Sequence, residues 1–398
     1  MAATARPLVL ARRMERLGTE TAFEVLARAR ELEKQGRSIV HLEIGEPDFD
    51  TPKHIVDAAC DALRSGKTHY GPSTGLPELR EAIAADFTRR RGPKVAADQV
   101  TVLAGGKPAI FFPLLALLDE GDEAIYPNPG FPIYESMIEF SGAKAVALPL
   151  LEENQFRTDV DELKKRITPR TKLVIVNSPH NPCGSVMKPD DVKRVAQLCA
   201  ERGIWLFSDE IYARILYDEK HDTALRHGDP ERIIVLDGFS KTFAMTGWRL
   251  GYSIAPADLA TRIAKLQTNC NSCPATFSQI AAVAAINGPQ DEVDRMVREF
   301  RRRRDVVVKG LNALPGVSCL VPQGAFYAFA NVRGTGMASR ELQRALLDDA
   351  GVGTLAGTAF GAHGEGYVRL SYANSVENLE EALRRMRKFL EAKKPART

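Results

Sequence analysis

The sequence predicts an α/β fold built on a mostly parallel sheet. Short apolar runs alternate with helical patterns between Val100 and Ile254, and this alternation is typical of strands connected by helices. Most of the runs are apolar at every position, as expected for strands that are buried on both faces. The chain has 398 residues, of which 44% are hydrophobic, so it can bury a large core and form two or three domains.

The individual elements follow from these patterns in chain order. A helix is expected over 189–202, between two of the apolar runs, and another is expected to open near Pro108. After about Gly288 the pattern changes to a long charged helix, short apolar segments and a final helix over 376–392, which indicates a smaller α+β domain. The strands are expected at 100–103, 123–126, 173–176, 204–207, 233–236 and 252–254.

Composition excludes several classes of partner. Lys and Arg number 54 against 51 Asp and Glu, and a net charge of +3 gives no argument for nucleic acid or a membrane surface. The run Arg301–Arg304 lies in a helical pattern and is expected to form a solvated helix face. The apolar stretch 109–118 is too short to span a bilayer.

Cysteine spacing gives no metal or redox motif. Cys270 and Cys273 form a C-x-x-C pair, but no second pair follows at the spacing of a zinc site. We therefore expect free thiols, a cytoplasmic location and no metal.

The segment GFSKTFAMTGWR at 238–249 carries the strongest chemical signal. Lys241 stands among small and aromatic residues, eight positions before Arg249. A lysine becomes a nucleophile toward a carbonyl once desolvation or a nearby cation lowers its pKa, and an arginine fork suits a phosphate. A Schiff-base lysine beside a phosphate-binding arginine describes a pyridoxal phosphate site. The alternative is a surface lysine and a surface arginine on a loop.

Further motifs occur in order along the chain, and together they favour the pyridoxal phosphate site over a surface lysine and arginine. They are GEPDF at 45–49, YGP at 70–72, GGK at 105–107, NSPHNP at 177–182, SDEIY at 208–212 and YVRLSYA at 367–373. From about Arg13 to about Phe389 the chain resembles the class I and II aminotransferases, pyridoxal phosphate enzymes of fold type I. Its motifs are most similar to the aspartate aminotransferase subgroup with a Gly-Gly-Lys loop.

This resemblance implies a domain organisation. An N-terminal segment over 1–49 would pack with a small α+β domain over 288–398. Between them, residues 50–287 would form the large cofactor-binding domain, with a mostly parallel sheet of the seven-stranded type.

The resemblance also implies roles for the residues around the cofactor ring. Lys241 would anchor the cofactor and move the substrate α-proton, and Asp209 would face the pyridine nitrogen. Asn181 and Tyr212 would donate to the phenolic oxygen, and Phe131 would stack on the ring. From local context alone, Asp209 could equally cap a helix, Asn181 could belong to an ordinary turn, and Phe131 could be a core aromatic.

The phosphate of the cofactor would be held by a second group of residues. Gly105 and Gly106 follow a strand and open a helix, where free backbone amides bind phosphate, and Arg249 would add its fork. Tyr70 resembles the tyrosine that reaches the phosphate of the neighbouring subunit, which implies a homodimer. Gly238 stands where many relatives have a serine that donates to the phosphate.

Substrate recognition is expected at Arg369, Gly45, Asn181 and Lys107. Arg369 matches the arginine that binds the α-carboxylate, and an edge-strand arginine is the alternative interpretation of the local pattern. Lys107 follows the glycine pair, where one subgroup contacts the distal carboxylate of a dicarboxylic substrate. It could also be a solvated lysine of a first helical turn. In that case Phe111, Phe112 and Phe131 could make the pocket tolerant of aromatic side chains.

The function implied by the resemblance is that of an aminotransferase with a ping-pong mechanism. The expected substrates are aspartate or glutamate with 2-oxoglutarate or oxaloacetate. Aromatic amino acids, alanine and prephenate are open alternatives as substrates, and a C–S lyase of the same fold type is an open alternative as an activity.

Overall fold

The computed structural model describes residues 9–393 and contains two main sheets with helices around them. The strands are β1 (Val40–His41), β2 (Val100–Leu103), β3 (Glu123–Asn128), β4 (Lys144–Pro149), β5 (Thr171–Asn177), β6 (Trp205–Asp209), β7 (Ile233–Gly238), β8 (Gly251–Ile254), β9 (Ser318–Cys319), β10 (Tyr327–Asn331), β11 (Val352–Gly353), β12 (Leu355–Ala356) and β13 (Tyr367–Ser371). The helices are α1 (Ala22–Lys34), α2 (Lys53–Arg64), α3 (Pro77–Arg91), α4 (Gly106–Leu117), α5 (Ile133–Ser141), α6 (Val160–Arg166), α7 (Pro189–Arg202), α8 (Phe239–Thr242), α9 (Ala257–Asn271), α10 (Thr276–Asn287), α11 (Asp291–Asn312), α12 (Ser339–Asp348) and α13 (Val376–Lys393).

The larger sheet has seven strands in the order β2-β8-β7-β6-β5-β3-β4. Strand β8 runs antiparallel to both of its neighbours, and the remaining strand pairs are parallel. The predicted α/β class and mostly parallel sheet are therefore confirmed. The sequence patterns missed β4, an edge strand that is only partly buried although its residues 145–148 are apolar.

Successive residues of the central strands pack on opposite faces of this sheet. In β5, Leu173 and Ile175 join one hydrophobic cluster, whereas Val174 and Val176 join the other. Helices α4, α5 and α9 contribute to the first cluster, and α2, α3, α7 and α10 contribute to the second. Burial on both faces explains why these strands are apolar throughout.

A smaller antiparallel sheet has the order β12-β13-β10-β9. Helices α11 and α13 share its hydrophobic cluster, and Val40 of β1 pairs with Val352 of β11. Part of the N-terminal region is thus joined to the C-terminal part of the chain by a parallel strand pair. The domain boundaries at 49/50 and 287/288 stay a prediction, and the ends of the outer domains lie outside the described residues.

The arginine run of α11 is only partly a solvated face. Arg301 and Arg302 are exposed, but Arg303 and Arg304 are buried, so the prediction is wrong for the second pair. The Arg303 guanidinium lies 2.6 Å from the Asp48 carboxylate, and that of Arg304 lies 2.8 Å from Asp218. Acidic partners supplied by distant segments allow these two charges to be buried.

Two further observations concern the whole described chain. None of the helices within residues 9–393 combines the length and apolar character that crossing a bilayer requires. All six cysteines carry free thiols.

Candidate active site

A cavity of about 820 Å³ lies at the carboxyl ends of the parallel strands of the larger sheet. Ligands of open α/β sheets bind at this edge, because loops from several strands converge there. The N-terminal segment and the smaller sheet complete the walls. Apart from Gly105 and Tyr70, all residues predicted for the site line this cavity: Gly45, Gly106, Lys107, Phe131, Asn181, Asp209, Tyr212, Lys241, Arg249 and Arg369.

Lys241 lies in α8, the single helical turn that follows β7. Its Nζ donates a hydrogen bond to the carbonyl oxygen of Gly45 at 2.6 Å. Burial lowers the pKa of Lys241 to about 8, and the nearby cations Arg369 and Arg249 act in the same direction against the charge of Glu46. The amine can therefore be neutral near physiological pH, as a nucleophile or proton carrier must be.

Asp209 is the last residue of β6, which extends two residues beyond the predicted strand at 204–207. Its Oδ2 accepts a hydrogen bond from Tyr134 Oη at 2.6 Å, and its Oδ1 accepts one from the backbone amide of Ile211 at 3.1 Å. Burial raises the pKa of Asp209 to about 7, while the Tyr134 hydrogen bond opposes this rise. A cation placed against this carboxylate would restore a low pKa, so Asp209 suits a protonated ring nitrogen.

Tyr134 was missed by the sequence analysis. It lies in the helical pattern of α5, where a buried aromatic residue is expected to be core. Only the packing of α5 against the end of β6 reveals its contact with Asp209.

Asn181 and Asp209 are linked through Asn177, the last residue of β5. Asn177 Oδ1 accepts from the backbone amide of Asn181 at 2.9 Å, and Asn177 Nδ2 donates to the backbone carbonyl of Asp209 at 3.0 Å. Asn177 also pairs directly with Asp209 in the parallel sheet. The Asn177 side chain therefore fixes the positions of both Asn181 and Asp209.

Tyr212 shares a hydrogen bond with Tyr327, a second tyrosine that the sequence analysis did not single out. The hydroxyl groups of Tyr212 and Tyr327 lie 2.7 Å apart, and both side chains are buried. Tyr327 comes from the smaller sheet, whereas Tyr212 follows β6 of the larger sheet. This hydrogen bond therefore connects the two sheets across the cavity.

The start of α4 forms the end of the cavity that contains Arg249. Gly105 has a φ of +106°, which favours glycine, and a Cβ at this position would collide with the Arg249 guanidinium. Helix α4 begins at Gly106, two residues before the predicted start near Pro108, so free backbone amides lie directly beside Arg249. A Cβ at Gly238 would lie 2.9 Å from the Cα of Gly251, so the structure leaves little room for a serine there.

Arg369 occupies an interior strand, not an edge, because β13 lies between β12 and β10. Its Nη1 donates to Asn181 Oδ1 at 3.3 Å, and its Nη2 donates to the backbone carbonyl of Glu43. The guanidinium also stacks 4.6 Å from the ring centroid of Tyr327 and 4.9 Å from that of Phe360. Within the described chain its Nε is buried without a hydrogen-bond partner, so the fork retains capacity for an anionic ligand.

Lys107 lies in the first turn of α4, about half exposed, with its Nζ 2.5 Å from Oε1 of Glu20. No sequence motif indicated Glu20, because tertiary packing alone brings the N-terminal segment to this helix.

The aromatic residues considered for the pocket divide into two groups. Phe131 lines the cavity, with its ring 5.8 Å from that of Tyr134 in an edge-to-face arrangement. Phe111 and Phe112 pack instead with the hydrophobic cluster on one face of the larger sheet, where Phe111 contacts Phe140. Of the three aromatic residues in the open alternative, only Phe131 therefore lines the cavity.

These residues fit pyridoxal phosphate together with an amino acid carboxylate. The cavity offers a buried amine of lowered pKa, a buried carboxylate that needs a cation, and free amides beside an arginine. The guanidinium of Arg369 adds an unpartnered donor.

Comparison with known proteins agrees with this chemistry. The family described as "Aminotransferase class I and II" matches residues 37–386. An aspartate aminotransferase of Pyrococcus abyssi is 45% identical over 90% of this chain and 93% of its own length. An aromatic-amino-acid aminotransferase of Thermococcus litoralis is 42% identical over 89% of this chain and 92% of its own length.

The solved structures include a Thermus thermophilus aspartate aminotransferase with maleate. It superimposes with a TM-score of 0.92 at 39% identity, over 96% of this chain and all of the other. The chain belongs to the class I and II aminotransferases and is an enzyme that depends on pyridoxal 5′-phosphate.

Proposed function

We propose that this aminotransferase takes its amino group from aspartate or glutamate and passes it to 2-oxoglutarate or oxaloacetate. The observation that carries this choice is Lys107, whose ammonium lines the same cavity as Arg369. Arg369 and Lys107 can each bind one carboxylate of a dicarboxylic substrate. The relatives named as aspartate aminotransferases support the same choice.

Arg369 is proposed to bind the α-carboxylate and Lys107 the distal carboxylate. Asn181 supports the first contact, because its Oδ1 already accepts a hydrogen bond from Arg369. Gly45 lines the cavity, and a Cβ there would collide with the Tyr327 hydroxyl, so only glycine fits at this position; its backbone is proposed to lie against the substrate carboxylate.

The cofactor supplies an electron sink for the bond electrons of the substrate α-carbon. In our proposal Lys241 holds the cofactor and then carries the α-proton, which its neutral amine can accept near pH 8. Asp209 keeps the ring nitrogen protonated. Asn181 and Tyr212 orient the ring by hydrogen bonds, Phe131 covers one ring face, and Gly105, Gly106 and Arg249 bind the phosphate.

A homodimer is part of the proposal. The Tyr70 side chain is 89% exposed and does not line the cavity of its own chain, so it is free to reach a second copy. Arg249 is also exposed, as expected if a neighbouring subunit covers the phosphate end of the site. A cytoplasmic location is proposed as well, supported by the free thiols.

Aromatic amino acids are the second candidate for the donor. Phe23, Leu26, Phe131 and Phe360 give the cavity apolar walls that fit a ring. The Thermococcus litoralis relative, named as an aromatic-amino-acid aminotransferase, supports this candidate.

The deciding experiment is a half-reaction scan. Purified holoenzyme is mixed with single amino acids while the cofactor absorbance is followed, with Lys241→Ala as the control that cannot react. Conversion by aspartate and glutamate is expected in the wild type. Lys107→Ala should lose far more activity with aspartate than with alanine or phenylalanine.

Two outcomes would contradict the proposal. Equal losses with all substrates would remove the distal-carboxylate role of Lys107. Release of ammonia and pyruvate without an added 2-oxo acid would show a lyase activity.

A further inference from the structure

The N-terminal segment places a carboxylate directly against Lys107. Glu20 Oε1 lies 2.5 Å from Lys107 Nζ and is shielded from solvent. The Phe23 ring, from the first turn of α1, lies 5.7 Å from the same ammonium. The ammonium thus has a carboxylate and an aromatic face as neighbours, and all three side chains line the cavity.

The position of Lys107 explains why an anion is favoured there. Lys107 is the second residue of α4, where the positive end of the helix and its free amides disfavour an additional cation. An anion placed at this point interacts with both the ammonium and the helix end. Glu20 supplies that anion from within the chain, and the distal carboxylate of a substrate would need the same position.

Glu20 also influences the interior of the cavity. Burial is the main cause of the lowered pKa of Lys241 and of Arg369, and the negative charge of Glu20 acts against it in both cases. The Glu20 side chain is only 18% exposed and lines the same cavity as Lys241 and Arg369.

We propose that Glu20 is a specificity-determining residue that acts as an internal counter-ion of Lys107. A dicarboxylic substrate displaces Glu20 and takes over the ammonium. A substrate with an apolar side chain leaves Glu20 in place, so Lys107 stays neutralised while the ring contacts Phe23, Phe131 or Phe360. One cavity can then accept both substrate classes. This inference rests on the proposed function, because it assumes that Lys107 meets the distal carboxylate.

The test uses two unreactive competitive inhibitors of the holoenzyme, maleate as a dicarboxylate and 3-phenylpropionate as an apolar monocarboxylate. In Glu20→Gln we expect the inhibition constant of maleate to fall by about fivefold, the upper range for a half-exposed ion pair. The constant of 3-phenylpropionate should rise, because the uncovered ammonium must be desolvated beside the phenyl ring. Glu24→Gln is the matched control, since Glu24 is an exposed glutamate four residues further along, in the first turn of α1, and it should change neither constant.

Opposite shifts for the two inhibitors support the proposal. Shifts in the same direction, or no shift, would overturn it, because they indicate a structural role or none. The substitution is then repeated in a Lys107→Ala background, where Glu20→Gln should have no further effect on maleate. Tighter maleate binding there would also overturn displacement, because repulsion by Glu20 would then act without Lys107.

The same data separate this inference from the proposed function. If Lys107→Ala alone leaves maleate binding and aspartate turnover unchanged, the distal-carboxylate role fails. If Lys107→Ala weakens maleate but Glu20→Gln does not tighten it, only the counter-ion role fails.

Discussion

Burial acts on Lys241 and Asp209 in the same way, by disfavouring the charged form of each. The pKa of Lys241 falls to about 8 and that of Asp209 rises to about 7, so both groups can change protonation near neutral pH. The cofactor uses these two shifts differently, because it needs a neutral amine to attach to and an anion to face its ring nitrogen. The chemistry of the site thus depends on two side chains desolvated by the same cavity.

The first prediction concerns the attachment of the cofactor to Lys241. Only the neutral amine reacts, so the rate of cofactor uptake by cofactor-free protein should rise with pH through a midpoint near pH 8 before it levels off. Arg369→Leu removes a cation that lowers this pKa, and the midpoint should move to higher pH. Stopped-flow absorbance after addition of pyridoxal phosphate measures the rate. A profile that is flat around pH 8 would contradict the lowered pKa.

The second prediction concerns the hydrogen bond from Tyr134 to Asp209. Tyr134→Phe removes a donor that favours the carboxylate anion, so the pKa of Asp209 should rise further and the cofactor should bind roughly tenfold more weakly. Equilibrium titration with the cofactor measures the affinity. Tyr126→Phe serves as a control, because the Tyr126 hydroxyl accepts its hydrogen bond from Asn128 instead. Equal effects of both substitutions would show that Tyr134 contributes only packing.

At the scale of elements, the strand ends and their short loops supply the residues for the chemistry. Asn177 ends β5 and Asp209 ends β6, and Lys241 follows β7 by three residues. Apolar runs predicted these strands, and local motifs predicted the residues after them. Sequence reasoning was sufficient here because each signal lies within a few residues along the chain.

Other features could not be read from the sequence, because they depend on contacts between distant segments. Glu20, Tyr134 and Tyr327 join the site through the packing of the N-terminal segment, α5 and β10. The same reason explains why Arg303 was misassigned, since its partner Asp48 is far away in sequence.

The third prediction tests this buried pair of α11. Arg303→Met leaves Asp48 without its partner, and we expect a loss of about 2 kcal/mol in the free energy of unfolding. This loss is smaller than that for a fully buried ion pair, because Asp48 is partly exposed. Arg302→Met, at the exposed neighbouring position, should change stability little. Urea denaturation of both variants gives the comparison. Equal stabilities would contradict the structural role of the buried arginine.

At the scale of the whole molecule, the end of the cavity where we propose that the phosphate binds is exposed in the single chain. Tyr70 and Arg249 are exposed in the single chain, and a second copy is the proposed source of the missing tyrosine.

The fourth prediction is that two defective chains complement each other. Lys241→Ala removes the attachment site, and Tyr70→Phe weakens phosphate binding. If Tyr70 acts across the interface, a hybrid dimer has one intact site, which combines Lys241 of the Tyr70→Phe chain with Tyr70 of the Lys241→Ala chain. Mixing the two variants should then restore activity at limiting cofactor. If Tyr70 acts within its own chain, neither site of the hybrid is intact. Activity of tagged hybrids purified by two affinity steps distinguishes these cases.

The hydrogen bond between the Tyr212 and Tyr327 hydroxyls connects two sheets that contribute different properties to the enzyme. The larger sheet supplies Lys241, Asp209 and the glycine turn, whereas β13 of the smaller sheet supplies Arg369 and the N-terminal segment supplies Glu20. Apart from Lys107 at the start of α4, selection for a new substrate can therefore act on the N-terminal segment and the smaller sheet while the reaction chemistry stays constant. In directed evolution, libraries confined to those segments should yield altered substrate preference with the cofactor still bound.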